Sequence, residues 1–179
     1  MTRTGDLYGQ SLYDLAAEDN LTDEILGEMK QVGDLFAENP DYVTLLLEPS
    51  LPRQERLSLL DTAFGGEVQE YLLNFLKLLT ERGLLREYKA CYTRYRACYN
   101  RDHNIADAVV TSAVPLTDEQ RTRLSEKLEA MSGKTVLLTE KTDPSVLGGL
   151  RVELDGTQLD GTVQGRLSEL RRRVDETVM

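Results

Sequence analysis

Tryptophan is missing from these 179 residues, histidine occurs once and cysteine twice. One His and two Cys cannot supply the four protein ligands of a Cys/His zinc site. Two cysteines are also too few for the disulfide scaffold of a small secreted domain. Long apolar runs are lacking: nothing approaches the ~20 residues that span a bilayer. Met1 to Gln10 carries neither an apolar signal core nor an Arg-rich amphipathic presequence. A cytosolic protein with no membrane anchor of its own is expected. Basic charge is scarce as well, 21 Lys and Arg against 31 Asp and Glu, a net charge of −10. Sequence-independent nucleic-acid binding needs a basic footprint that displaces counterions, so that class is excluded.

What is present suits a folded chain of one or two domains: 40% hydrophobic and 29% charged residues. The charge is uneven. Residues 1–81 hold 16 Asp and Glu against five Lys and Arg, whereas residues 82–179 hold 15 against 16. All the excess negative charge therefore lies in the first 81 residues. It either steers basic or amphipathic partners at long range or keeps a solvated face soluble.

The first hundred residues read as short helices separated by breakers. Leu12, Leu15 and Ala16 share one face of the first, and Asn20 and Thr22 mark a turn and an N-cap. Ile25, Met29, Val32 and Phe36 form a helical stripe that Asn39-Pro40 stops. A short apolar segment, Tyr42 to Leu47, follows. Pro52 opens a fourth helix with Leu57, Leu60 and Phe64 on its face, and Gly65-Gly66 ends it. The fifth, with Tyr71, Leu72, Leu73, Phe75, Leu76, Leu78 and Leu79, has almost no polar side. Either it sits in the middle of a bundle, or one apolar face waits for a partner. After Gly83, a sixth helix aligns Tyr88, Cys91, Tyr92, Tyr95, Cys98 and Tyr99. Its two cysteines lie about 10.5 Å apart along an intact helix, too far to pair, and are expected as buried thiols.

Asp102, His103 and Asn104 read as a linker, beyond which the period changes from 3.6 to 2. Ala108 to Val114 is β-prone. Thr117-Asp118-Glu119-Gln120 is a capping box for a helix with Leu124, Leu128 and Met131 on one stripe, ended by Gly133. Thr135 to Glu140 is a second strand, and Leu150, Val152 and Leu154 alternate with Arg151 and Glu153 as a third. Asp155-Gly156 is a hairpin signal. Val163, Leu167, Leu170 and Val174 line a last helix, with Arg171, Arg172 and Arg173 near its end. The expected fold is a two-part α and α/β chain. An N-terminal six-helix bundle over residues 1–104 is followed by a small α/β C-terminal domain over residues 105–179.

Catalytic chemistry finds little to work with. His103 lies in the linker. Gly148, Gly149, Gly161 and Gly165 do not form the phosphate loop that ends in Gly-Lys-Ser/Thr, and read instead as structural turns. Ser145 has no His-based dyad in sight, and Asp143 and Asp160 fit turn positions better than a carboxylate pair. No catalytic, cofactor-binding or metal-binding residue is assigned.

Two segments near the C-terminus are specific. Thr142-Asp143-Pro144-Ser145-Val146-Leu147-Gly148-Gly149-Leu150, followed by Leu159-Asp160-Gly161-Thr162-Val163-Gln164-Gly165-Arg166-Leu167, closely resembles the delta subunit of the F-type ATP synthase, the family of the mitochondrial oligomycin-sensitivity-conferring protein. Tyr8-Gly9-Gln10-Ser11-Leu12-Tyr13 resembles that family's Tyr-Ala-x-Ala-Leu-aromatic opening, with Gly9 and Ser11 in place of the alanines. Arg151 and Gln158 stand where apolar residues are common. The resemblance covers essentially the whole chain.

It implies a non-catalytic stator subunit, present once in a hetero-oligomeric complex, without nucleic acid or direct membrane insertion. Such a subunit is held peripherally at the cytoplasmic face of the bacterial cell membrane and links the catalytic head to the b-type peripheral stalk against torque. The N-terminal bundle is then expected to bind an alpha-subunit N-terminal helix between its first and fifth helices, through Tyr8, Ser11, Asn74 and Leu78. The C-terminal module is expected to meet the stalk through Arg166, Leu167, Arg171, Arg172 and Arg173. Without the resemblance, the residues also suit an acidic helical regulatory interaction module unrelated to ATP synthase.

Overall fold

The computed structural model describes residues 3–146 and 148–162. Within them, helices α1 (Arg3–Glu18), α2 (Thr22–Glu38), α3 (Pro40–Leu46), α4 (Arg53–Phe64), α5 (Glu70–Glu81) and α6 (Tyr88–Asp102) come first, with a 3-10 turn at Leu85–Glu87. Strand β1 (Ile105–Ser112), helix α7 (Asp118–Ser132) and strands β2 (Thr135–Thr142), β3 (Leu150–Leu154) and β4 (Thr157–Asp160) follow. A helical part thus precedes a small α/β part. The chain divides into two compact units, one up to Tyr99 and the other from Asn100.

In the helical unit the stripes seen in sequence become the core. Ile25, Met29 and Val32 of α2 are buried with Leu60 of α4, Leu72, Leu76 and Leu79 of α5, and Cys91, Tyr95 and Cys98 of α6. Each fully buried side chain of this size contributes roughly 1.5–3 kcal/mol relative to exposure. The buried tyrosines keep their hydroxyls satisfied. Tyr88 donates to the Met29 carbonyl at 2.8 Å and Tyr95 to the Thr22 carbonyl at 3.1 Å. Both cysteines are free and buried, and burial pushes the Cys91 thiol up to about 11.

Several boundaries move from their sequence expectation. Asn20 does take the left-handed turn conformation, at φ 57°, but Leu21 occupies the cap position and Thr22 is already helical. Pro40 does not merely stop α2; it opens α3, because its fixed φ and missing N–H suit a first helical turn. Pro52 sits one residue before α4, its carbonyl accepting from Glu55 and Arg56. The expected linker is shorter, since α6 runs through Asp102. Asn100 is buried, and its side-chain amide donates to the Asp107 carboxylate at 2.8 Å.

The α/β unit holds a sheet of order β2-β1-β3-β4. β1 and β2 are parallel, joined through α7, and β3 and β4 form an antiparallel hairpin. Asp155 and Gly156 turn that hairpin at φ 47° and 80°, both in the region the sequence signal requires. Ala106, Ala108 and Val110 of β1 pack with Val136, Val152 and Leu128 of α7. The capping box forms as expected: the Thr117 hydroxyl accepts from the Gln120 amide, and the Gln120 side chain accepts from the Thr117 amide. Met131 does not join Leu128 in the core but is 61% exposed, near the end of α7. The proposed last helix, from Val163 onward, lies outside the described residues.

Candidate functional site

The fifth helix is packed against α1, α2 and α4 and still keeps a partly exposed apolar edge. Leu72, Phe75, Leu76, Leu79 and Thr80 are buried, whereas Tyr71 and Leu78 are each 37% exposed. α5 is held at its start by α2. The Gln69 amide donates to the Glu28 carboxylate at 2.9 Å and the Gln69 side chain to Glu24 at 2.7 Å, capping the helix from outside. Burial raises the Glu28 pKa against the lowering effect of that amide.

Facing α5, helix α1 is seated deeply for a reason the sequence hides. A Cβ on Gly9 would collide with the Cys91 carbonyl and come within 2.9 Å of the Arg94 Cβ. The backbones of α1 and α6 therefore meet at a separation no side chain allows. Glycine at this position is what lets α1 pack close. Beside it, Arg94 and the Cys98 thiol both reach the Gln10 side-chain oxygen, at 2.7 and 3.0 Å.

A groove of about 470 Å³ remains between α1 and α5. Leu7, Tyr8, Ser11, Leu12 and Leu15 form one wall and Tyr71, Asn74, Phe75 and Leu78 the other. The structure brings all four sequence-expected residues, Tyr8, Ser11, Asn74 and Leu78, to this one place. It adds Leu7, Leu15 and Tyr71, which the sequence reading missed. The sequence puts Leu15 on one face with Leu12 and Ala16, yet those two are buried while Leu15 is 47% exposed, and Leu7 is 66% exposed. The available signal was the spacing itself: Leu7, Ser11 and Leu15 recur at i, i+4 and i+8, a stripe distinct from the buried one.

The chemistry of the groove is apolar with an acidic margin. The Ser11 hydroxyl turns back to the Leu7 carbonyl at 3.0 Å, so it offers little polarity to a ligand. Tyr71 donates its hydroxyl to Asp19, and that bond, with the nearby charges of Asp19, Glu18 and Glu70, raises its pKa and keeps the phenol protonated. The one cation of α5, Lys77, is tied to Asp61. Such a surface is complementary in shape and charge to an apolar helix face whose flanks carry Lys or Arg. Among the described residues no cluster of His, Cys, Asp and Glu suits a metal, and no helix is long and apolar enough to cross a membrane.

In the α/β unit the glycines serve geometry. Gly148 and Gly149 have φ of 72° and 84°. A Cβ on Gly149 would stand 2.5 Å from the Gly161 carbonyl oxygen and 2.8 Å from the Thr162 Cα. The Gly161 amide in turn donates to the Leu150 carbonyl at 2.9 Å. The two specific segments of the sequence thus meet backbone to backbone. Asp143 and Asp160 do not act as a pair. Each accepts from the amide two residues on, Ser145 or Thr162, at 2.9 Å. Hydrogen bonds from the Ser145 and Thr162 side chains and amides hold both carboxyls below the ordinary range. Gly165, Arg166, Leu167, Arg171, Arg172 and Arg173 lie outside the described residues.

Known proteins resemble this chain in both sequence and fold. The family model for the ATP synthase delta (OSCP) subunit matches residues 5–174. ATP synthase subunit delta of Clostridium kluyveri is 31% identical over 165 residues, 92% of this chain and 91% of that protein. ATP synthase subunit delta of Exiguobacterium sibiricum is 32% identical over 167 residues, covering 93% and 94%. A chain of the Toxoplasma gondii mitochondrial ATP synthase hexamer, solved by cryo-electron microscopy, shares the fold. Its TM-score is 0.75 at 18% identity, over 97% of this chain and 98% of that one. The chain belongs to the ATP synthase delta (OSCP) subunit family, and it is a non-catalytic stator subunit rather than an enzyme or an unrelated regulatory module.

Proposed function

We propose that this stator subunit acts as a two-ended clamp, with the groove between α1 and α5 gripping the N-terminal helix of an alpha subunit at the catalytic head. In this reading residues 1–104 form a six-helix bundle that holds the head, and residues 105–179 form the module that holds the b-type stalk. One copy serves each complex, at the cytoplasmic face of the bacterial cell membrane and peripheral to it. A head held only through noncovalent contacts must resist the torque of rotation, so both ends have to bind strongly.

One observation carries the reading. Leu7, Leu15, Tyr71 and Leu78 expose apolar surface along a single groove in the part of the chain with the excess negative charge. Scattered exposed leucines are ordinary, but a convergent stripe between two helices matches the helix-in-groove mode of recognition. The acidic margin favours a partner helix flanked by Lys or Arg, mainly through its rate of association.

The direct test is titration of the full chain with a synthetic alpha N-terminal peptide. Leu78→Asp should abolish binding while circular dichroism stays helical, because Leu78 is not part of the core. Retained binding in that folded variant would place the peptide elsewhere. The stalk end rests on the family resemblance. Arg166 and Leu167, with Arg171, Arg172 and Arg173, are its candidates. A pull-down of a stalk C-terminal fragment should weaken with Leu167→Ala and weaken less with the triple arginine-to-alanine change.

A further inference from the structure

A second groove on the helical unit shares no residue with the first and has the opposite electrical character. It lies between α2 and α6, with Val43 of α3 and Leu85 and Arg86 of the 3-10 turn also lining it, and has a volume of about 430 Å³. Met29, Lys30, Gly33, Asp34, Phe36 and Ala37 follow one stripe of α2 along it. From Met29 to Ala37 that is a rise of about 12 Å, or a little over two turns of a ligand lying alongside.

Its floor is made of packed aromatic rings. Phe36 meets Tyr88 edge to face at 5.3 Å and Phe64 at 6.1 Å, and the Tyr88 hydroxyl is spent on the Met29 carbonyl. Burial holds that phenol neutral, far above its ordinary range. Gly33 lowers the α2 wall. A Cβ there would reach only ordinary contact with the Tyr88 ring at 3.6 Å, so nothing in the fold itself demands a glycine.

The rim carries the argument. Lys30 and Asp34 pair with each other at 3.1 Å and cancel. Arg86 and Lys89, both exposed, then remain as uncancelled charge, and among the described residues neither is engaged in an ion pair. The surrounding sequence has the same bias. Residues 82–89 contain Arg82, Arg86 and Lys89 against Glu87 alone, in a unit whose first 81 residues are strongly acidic.

We infer that the groove between α2 and α6 is a second docking site, and that its occupant is an acidic amphipathic protein segment that lays apolar side chains on the Phe36–Tyr88 floor and carboxylates beside Arg86 and Lys89. One small bundle then holds two segments of opposite charge at once. Charge sorts them: the acidic margin of the α1/α5 groove repels what the α2/α6 groove attracts. This inference stands independently of the alpha-subunit reading.

The test uses the full chain and two labelled model peptides of about 18 residues, each with leucine on one helical face. One carries glutamate on the other face, the second lysine. Fluorescence anisotropy should show saturable binding of the glutamate peptide that weakens with salt. The double change Arg86→Glu and Lys89→Glu should weaken it by about tenfold or more. Ala37→Trp, which fills the groove from an exposed position, should weaken it too, and Leu78→Asp should leave it unchanged. Circular dichroism checks that the variants fold, and Arg86→Gln with Lys89→Gln supplies a milder alternative to the charge reversal. No saturable binding, binding indifferent to Arg86 and Lys89, or binding lost in Leu78→Asp would each overturn the inference. So would lysine-peptide binding that Ala37→Trp blocks equally.

Discussion

Glycine does different work in the two units. In the helical unit Gly9 has ordinary helical geometry and is needed for space alone, because the Cys91 carbonyl of α6 lies where its Cβ would be. In the α/β unit Gly149 is needed twice over, for a φ of 84° and for the approach of the Gly161 and Thr162 backbone. The first glycine seats a helix and leaves that helix's other stripe, Leu7 to Leu15, facing outward. The second closes a turn at the edge of a groove of about 410 Å³, where Val114, Leu116 and Leu150 supply the apolar lining. Close packing on one side of α1 therefore accompanies an open apolar face on another, whereas close packing around Gly149 joins two turns backbone to backbone.

Substitution of these glycines should produce the largest effects. Gly149→Ala meets both a forbidden φ and a backbone collision, and should destabilise the α/β unit by roughly 2–4 kcal/mol. Gly9→Val meets only the collision and should cost the helical unit about 1–3 kcal/mol. Hydrogen exchange read peptide by peptide separates the units. Loss of protection confined to one unit in each variant supports the contrast, and loss in both would mean that the units unfold together.

Neighbouring leucines of α5 sharpen the distinction between core and groove. Leu76 is fully buried, so Leu76→Ala should lower stability by about 2–5 kcal/mol. Leu78→Ala should change stability by about 0.5 kcal/mol or less, since its side chain already meets water. Chemical denaturation of the two variants, alongside peptide titration, should show the effects exchanging places.

The units should also fail at opposite ends of the pH scale. In the helical unit the Cys91 thiol is raised from an ordinary value of 9.0 to about 11 by burial. The folded state keeps a proton the unfolded state releases, so that stability is whole below pH 9 and is lost as pH rises towards 11. The buried phenols of Tyr88 and Tyr95, also raised by burial, act in the same direction at higher pH. In the α/β unit the Asp143 and Asp160 carboxyls are lowered by their turn hydrogen bonds. Their contribution is present above the ordinary value of 3.8 and is lost as pH falls through the lower folded value. Thermal unfolding followed across pH should show an alkaline decline that Cys91→Ala softens and an acid decline that Asp143→Asn softens.

The smallest expected effect is a gain. Gly27 lies inside α2, and a Cβ there would meet nothing within 4 Å. Gly27→Ala should stabilise the helical unit by about 0.5–1 kcal/mol, measured by the denaturation midpoint. A loss instead would reveal a constraint on α2 that packing does not explain.

Much of this was legible in the chain itself, for identifiable reasons. Stripes such as Ile25, Met29 and Val32 report a buried helix face because a helix of fixed period can bury only one side. Thr117 and Gln120 form their capping box, and Asp155-Gly156 turns its hairpin, because both signals depend on residues within reach of one another along the chain. The same holds for Asn20, whose left-handed turn is local. Periodicity did not tell Leu15 from Leu12 or Met131 from Leu128, since it marks which residues share a face and not how far a neighbouring helix covers it. Nor did it place Asn100, which ends a helix yet turns its amide to Asp107 on the following strand.

By itself, then, the sequence determined the helices and strands, the uneven charge, the thiols buried in α6 and the membership of the family. Those properties follow from short-range chemistry and composition. Tertiary structure alone decided that Gly9 brings α1 against Cys91, that Gly149 meets Gly161, and that Leu7, Leu15, Tyr71 and Leu78 stay uncovered along one groove. Each of these depends on the distance between segments far apart in the chain, and that distance is set only when the helices pack.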